Sequence, residues 1–254
     1  MIKFFRSIRR KLFSEGRISK YLVYAIGEII LVMIGILLAL QVNSWHNGRL
    51  EIKKEQALLK NLEVDFNNNI ENLNMVIESF EEAYNASVVL LNILKSNEQI
   101  NNDEIDGLID DIINKTMSYD LISGSINEIF NTGSLHLIGD PTLRKQISNW
   151  SYFFSDTEDD IIIYRNYLFD FFVPSLTSKV RLRNLSLPDL FEKDLGLQII
   201  SKSDLEPNYQ KLRNLKFENE VYNNALNYMY VINSYKVFHK YLTETLALIE
   251  SNID

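Results

Sequence analysis

The sequence predicts an all-α protein with one N-terminal transmembrane helix that continues into a long helix, followed by an antiparallel helical bundle. Three observations support this fold class. An apolar run at 21–42 carries a single charge, Glu28. Apolar residues recur at steps of three and four over 59–91 and again over 221–249, as they do on one face of a helix. Four prolines and nine glycines in the whole chain favour long helices over many short strands.

The apolar run has the properties of a membrane anchor. As a helix it is about 33 Å long, which is enough to cross the hydrocarbon core of a bilayer. Tyr21 and Tyr24 at one end and Trp45 beyond the other suit the headgroup regions. The alternative is a cleaved signal peptide, because 29–40 has the length of its apolar region, but no small-x-small cleavage site follows Ala39. We therefore expect the segment to be retained as a signal-anchor.

The distribution of charge predicts the orientation. The first twenty residues carry a net charge of +6, and because the chain carries −8 overall, the remainder carries −14. Basic residues close to a span stay on the cytoplasmic side. This predicts a basic cytoplasmic arm (1–20), a transmembrane helix (21–45) and an acidic helical domain outside the membrane (46–254). The arm interleaves apolar and basic residues, so it is either an amphipathic helix on anionic membrane lipid or a plain signal-anchor arm.

Glu28 needs a physical reason, because an acidic residue inside the bilayer costs about 3 kcal/mol. Glu28, Gly35 and Ala39 follow each other at steps of seven and four, which places them on one helix face. Gly35 and Ala39 form a small-x-x-x-small pair that lets two helices approach closely. We predict a self-association face, with Glu28 protonated or hydrogen-bonded across a homo-oligomer interface. The alternative is a tolerated acid near the lipid boundary beside an ordinary membrane glycine.

Two stretches resemble a known family. The span reads YAIGEIILV at 24–32, then IGI at 34–36, ALQ at 39–41 and NSW at 43–45. It resembles an uncharacterised domain-of-unknown-function family of single-anchor membrane proteins common in Bacteroidota, whose span is of the type Y-A-x-G-E-I-x-L-V-x-I-G-I. The stretch 124–150 resembles the family's soluble-domain pattern of a small residue and Gly, a Leu/Ile pair and Leu-Arg. The resemblance implies an inner-membrane anchor with a periplasmic domain, and it implies no catalytic or binding residues.

Beyond the anchor, the pattern predicts a long amphipathic helix at 50–95. Its spacing suits either a coiled coil between protomers or packing inside a bundle. A loop at 96–102 follows. Further helices are expected at 103–114, at 141–152 or, in an extended alternative, 141–172, and at 217–249. Asn102 or Asp103 caps the first, Pro141 opens the second, Pro174 ends it, and Pro188 and Pro207 mark turns.

No motif in the chain predicts catalysis, a metal or a cofactor. There is no cysteine, the three histidines are far apart, and no glycine-rich phosphate loop or nucleophile elbow occurs. The acidic stretch at 102–107 fails as a calcium loop, because Ile113 stands where a bidentate Glu is required. The net charge of −14 on the chain beyond residue 20 disfavours binding to nucleic acid. We therefore expect a protein that is not an enzyme and binds no cofactor.

The aromatic-rich stretch at 150–172 has two interpretations. It either belongs to the core, or it forms an apolar groove for a lipid, a peptide or a partner helix, with Phe153, Tyr164, Phe171 and Tyr228 as its lining. Two functional hypotheses follow. The first is a membrane-anchored interaction or sensing protein that self-associates and contacts an unknown protein partner. The alternative is a periplasmic helical domain that binds a lipid-like or other apolar ligand, and a hydrolase comes third without any supporting motif.

Overall fold

The computed structural model describes residues 18–185 and 200–253, and these residues form helices joined by turns, with no strand among them. The helices are α1 (Ile18–Lys95), α2 (Asn102–Asn114), α3 (Gly124–Thr132), α4 (Pro141–Ser148), α5 (Trp150–Tyr167), α6 (Val173–Leu176) and α7 (Leu215–Ser251). In the described parts of the chain, four tighter or wider helical turns lie between them, at Ser134–Leu137, Leu168–Phe172, Leu182–Asn184 and Tyr209–Leu212. The all-α prediction is confirmed for these residues. Most of the basic arm and the turn expected at Pro188 lie outside the described residues.

The chain divides into two compact units, Met1–Gln56 and Ala57–Asp254; the second is called the body below. From Leu22 onward, α1 is long and apolar enough to cross a membrane, and none of the residues in its most apolar stretch is buried by the rest of the chain. A helix satisfies its own backbone hydrogen bonds, which is the condition for crossing a bilayer. The prediction of a long apolar helix near the N-terminus is confirmed.

The core of the body lies where α1, α5 and α7 meet. The predicted apolar stripe on α7 is buried throughout, except that Ile232 is half-buried, and most of the stripe on α1 is buried as well. Phe80 occupies the centre, and its ring meets the rings of Tyr164, Tyr228 and Tyr235 edge-on at 5.3, 5.9 and 5.8 Å. Edge-to-face contacts of this kind are favoured over face-to-face stacking. The three helices therefore share one aromatic core.

The predicted cap of α2 is wrong by one or two positions. Asn101, rather than Asn102 or Asp103, is the capping residue, and its side-chain oxygen accepts a hydrogen bond from the backbone N–H of Asp103 at 3.0 Å. All three residue types are good caps. The extended backbone of Asn101 (φ −86°, ψ 120°) decides which of them is used.

The helix expected from Pro141 through Tyr152, or on to Phe172, is divided. Pro141 opens α4 as predicted, and Asp140 caps it by accepting from the N–H of Leu143 at 2.7 Å. The chain then breaks at Asn149 and restarts as α5. Pro174 does not end the helical stretch, because it lies inside α6. Proline has no backbone N–H, and a residue in the first turn of a helix needs none. Helix α6 begins at Val173, directly after the wide turn Leu168–Phe172, so Pro174 lies in its first turn. Proline is therefore compatible with that position.

Candidate functional site

The three residues of the predicted self-association face lie on α1. Gly35 and Ala39 are exposed in the single chain and Glu28 is half-buried. A Cβ placed on Gly35 would meet no atom within 4 Å. The backbone at this position is therefore accessible to a second helix.

The four residues of the predicted groove differ in burial and in their contacts. Tyr164 and Tyr228 are buried in the core, with ring centroids 5.3 Å apart. The Tyr228 hydroxyl donates to the carbonyl of Ile112, and the Tyr164 hydroxyl pairs with the Thr116 hydroxyl at 3.0 Å. Burial raises the pKa of both phenols above the usual value. These two residues occupy the positions that the core interpretation assigns to them.

The other two residues of the predicted groove belong to separate ring pairs. Phe153 is partly buried and stacks on Tyr241 at 4.3 Å. Phe171 is 65% exposed and stacks on Tyr167 at 6.1 Å. The structure thus brings Tyr164 and Tyr228 together and places Phe153 and Phe171 elsewhere on the body.

A different cavity lies beside α5 and is called the α5 cleft here. It has a volume of about 180 Å³ and is partly open to solvent. Residues of α5 at steps of three and four form one side of it, and two tyrosines from other parts of the chain close it. The lining residues are Phe154, Thr157, Glu158, Ile161, Ile162 and Arg165 of α5, with Tyr119 and Tyr235.

One end of the α5 cleft is polar. Tyr235 is 1% exposed, and its hydroxyl forms no hydrogen bond with the residues that the structure describes. Arg165 donates one hydrogen bond, from Nη2 to the Ser118 hydroxyl at 3.1 Å, and has no ion-pair partner within 18–185 and 200–253. Burial raises the pKa of Tyr235, although the nearby charge of Arg165 acts in the opposite direction. The cleft therefore contains a neutral phenol and a cation whose charge acts on it.

Asn69 positions the tyrosine on the loop side of the α5 cleft. It is fully buried on α1, accepts from the N–H of Ile122 at 2.8 Å and donates to the carbonyl of the same residue at 2.7 Å. The hydroxyl of Tyr119 donates to the same Asn69 oxygen at 3.2 Å. The segment between α2 and α3 is thereby attached to α1, and the Tyr119 ring packs 5.9 Å from that of Tyr235.

A second polar cluster lies between α2 and the turns that precede α7. Arg181 donates to one oxygen of Asp106 from Nε at 2.8 Å and lies 2.7 Å from it through Nη2, and its side chain is 8% exposed. Tyr209 donates to the other Asp106 oxygen, and Asn184 donates to the first at 3.1 Å. Both carboxylate oxygens are therefore occupied by protein donors. This cluster, the Asp106 network, stabilises the fold and leaves no oxygen for a substrate.

Neither metal chemistry nor known relatives assign a function. Among the described residues there is no group of three or more His, Cys, Asp or Glu side chains that could hold a metal ion. Comparison with protein-family models, with curated proteins and with solved structures gives no match. The membrane helix and the α5 cleft are therefore the features that bear on function.

The lining of the α5 cleft differs from the predicted groove, since it contains none of Phe153, Tyr164, Phe171 and Tyr228. The spacing of Phe154, Glu158, Ile161 and Arg165 does indicate one helix face. Nothing local in the sequence indicates that Tyr119, 35 residues before Phe154 in the numbering, and Tyr235, on the last helix, lie against that face.

Proposed function

We propose that the protein is a non-enzymatic, membrane-anchored helical protein that self-associates and presents its body for interaction or sensing. The observation that carries this proposal is the apolar stretch of α1, which the rest of the chain leaves unburied. Exposure of such a long apolar helix to water is unfavourable, because the free energy falls when apolar surface leaves water. Lipid and a second copy of the helix are the partners that cover it.

The proposed location is the inner membrane, with the N-terminus in the cytoplasm and the body in the periplasm. The net charge of +6 on the first twenty residues supports this orientation, and the resemblance of the span supports the compartment. Fusions of the C-terminus to a reporter that is active only outside the cytoplasm should be active. Activity of a reporter that works only in the cytoplasm would reverse the proposed topology.

We further propose that the body is a bundle in which α7 runs antiparallel to α1 and α5, whereas α1 and α5 run in the same direction. The order of ring contacts along the helices supports this arrangement. The ring pairs are Phe66–Trp150, Phe80–Tyr164, Trp150–Phe238 and Tyr164–Tyr228.

The self-association face can be tested with matched glycine variants. Gly35→Leu places a bulky side chain on the face with Glu28, whereas Gly27→Leu places the same side chain about 100° around the helix from Glu28. A Cβ at either glycine meets no atom of the chain within 4 Å, so neither change disturbs the single helix. We expect Gly35→Leu and Glu28→Leu to weaken self-association of the full-length protein in bilayers, measured by energy transfer, and Gly27→Leu to leave it unchanged. If all three variants self-associate as strongly as the parent, the proposed self-association face is wrong.

The second candidate function is ligand binding by the body. The specific observation in its favour is the α5 cleft, where the hydroxyl of the almost fully buried Tyr235 makes no hydrogen bond with the described residues and Arg165 has no ion-pair partner among them. Native mass spectrometry of the full-length protein released from nanodiscs tests it. A reproducible extra mass on the protein supports ligand binding, whereas a defined oligomer without any adduct supports the assembly role alone.

A further inference from the structure

We infer that the α5 cleft binds a small amphiphile with a carboxylate head. The head lies at Arg165 and Tyr235, and the apolar part lies against Phe154, Ile161 and Ile162. This inference rests on the ligand-binding candidate described above and names the class of ligand that the cleft selects.

The polar end of the cleft fits a carboxylate. A guanidinium has five N–H donors in a planar fork that matches two carboxylate oxygens, and Arg165 uses one of them at Ser118. The phenol of Tyr235 is a donor that no described residue accepts from, although its side chain is almost fully buried. A ligand oxygen between these two groups accepts from both, and charge-assisted hydrogen bonds of this kind are about twice as strong as neutral ones.

The apolar end fits a short hydrocarbon chain. Phe154 and Ile161 are partly buried against the core, and Ile162 is 55% exposed, so a chain lying along this wall would remove apolar surface from water. The cavity volume of about 180 Å³ is below the roughly 300–1,000 Å³ of pockets that enclose drug-sized ligands. The ligand is therefore small.

Glu158 sets the direction of the ligand. It lies seven residues before Arg165 on the same face of α5, about 10.5 Å away along the helix axis. A second anionic group near Glu158 would be repelled, so a dicarboxylate fits poorly, and the carboxylate head is confined to the Arg165 end. A cationic amphiphile would have the opposite orientation, with its head at Glu158, and it is the competing class that the experiment must exclude.

The test uses three soluble probes with the same six-carbon chain, namely hexanoate, 1-hexanol and hexylammonium. Binding to the full-length protein in nanodiscs is measured by saturation-transfer NMR, with empty nanodiscs as the reference for partition into lipid. We expect hexanoate to bind about tenfold more tightly than 1-hexanol, the size expected for one hydrogen bond to a charged group. Arg165→Gln should remove this preference and leave the binding of 1-hexanol unchanged.

Two further variants complete the design. Tyr235→Phe keeps the buried ring and removes a hydroxyl that has no partner among the described residues, so the fold is retained and hexanoate binding should weaken. Arg183→Gln is the matched control, because Arg183 is exposed and donates from Nη2 to the Ser201 hydroxyl at 3.0 Å, a contact of the same kind as that of Arg165. It should leave hexanoate binding unchanged.

Several outcomes would overturn the inference. These are equal binding of hexanoate and 1-hexanol by the parent protein, a preference for hexylammonium, or unchanged hexanoate binding in Arg165→Gln. If no probe binds and native mass spectra still show an adduct, the ligand class is wrong while the ligand-binding candidate stands. If there is neither probe binding nor an adduct, both fail.

Discussion

Replacing Asp106 by Asn should strongly destabilise the body. The side chain keeps its shape but loses its charge, and the guanidinium of Arg181, whose side chain is 8% exposed, is left without its buried counter-ion. In the parent, burial lowers the pKa of Arg181, and the hydrogen bonds that it donates to Asp106 and Asp103 raise it. Without the charge of Asp106, only the exposed carboxylates of Asp103 and Glu206 pair with the guanidinium. An arginine stays protonated in proteins, so the cation cannot be relieved by losing its proton. Breaking a buried ion pair by removing one partner typically costs about 3–5 kcal/mol in the free energy of unfolding, and we expect a loss of that size.

The assay uses the fluorescence of Trp150, which is buried in the core of the body. Trp45 is the other tryptophan of the chain, and Trp45→Phe in the parent and in every variant leaves Trp150 as the sole reporter. For a body of about 200 residues, 1 kcal/mol corresponds to roughly 2–4 °C in Tm. Asp106→Asn should therefore lower Tm by about 6–20 °C.

Two comparisons make this prediction refutable. Glu104→Gln removes an exposed carboxylate from the same helix and should change stability by no more than about 0.5 kcal/mol. The double variant Asp106→Leu with Arg181→Met removes both charges and should recover part of the loss, because no unpaired ion remains. If Asp106→Asn is as stable as Glu104→Gln, the Asp106 network does not stabilise the fold.

Two further predictions concern other buried polar groups. Burial, followed by the hydrogen bond to Asp106, raises the pKa of Tyr209 from 10.0 to about 12, so its contribution to stability is complete below pH 10 and is lost as the pH rises towards 12. Tyr209→Phe should therefore show a shallower decrease of Tm between pH 10 and 12 than the parent, and identical slopes would contradict this. Asn69→Leu leaves the backbone groups of Ile122 unpaired, which should cost about 1–3 kcal/mol for each buried group and accelerate amide exchange at Ile122. Asn67→Leu is the control, because Asn67 is exposed and its side chain bonds only to the carbonyl of Glu63 among the described residues. This change should neither lower stability nor accelerate amide exchange at Ile122.

The errors in the sequence-based predictions have local causes. In the run Asn101, Asn102, Asp103 every residue can cap a helix, so the pattern identifies the boundary but not the capping residue. Pro174 normally indicates a helix end, yet the wide turn before it lets the chain begin a new helical turn there. Such choices depend on backbone geometry that composition does not specify.

Periodicity and hydropathy by themselves determined the features that repeat along the chain. These are the apolar stretch of α1, the buried faces of α1 and α7, and the all-α class, because a helix face is encoded by residues three and four apart. The net charge of the N-terminal twenty residues likewise follows from the sequence alone.

The tertiary structure alone decided which distant polar and aromatic groups meet. Asn69 pairs with Ile122 across 53 positions, Arg181 with Asp106 across 75, and Tyr209 with Asp106 across 103. The α5 cleft combines α5 with Tyr119 and Tyr235 in the same way. Each of these contacts depends on the positions of whole helices, which the packing of the shared core sets, and no local pattern of residues encodes them.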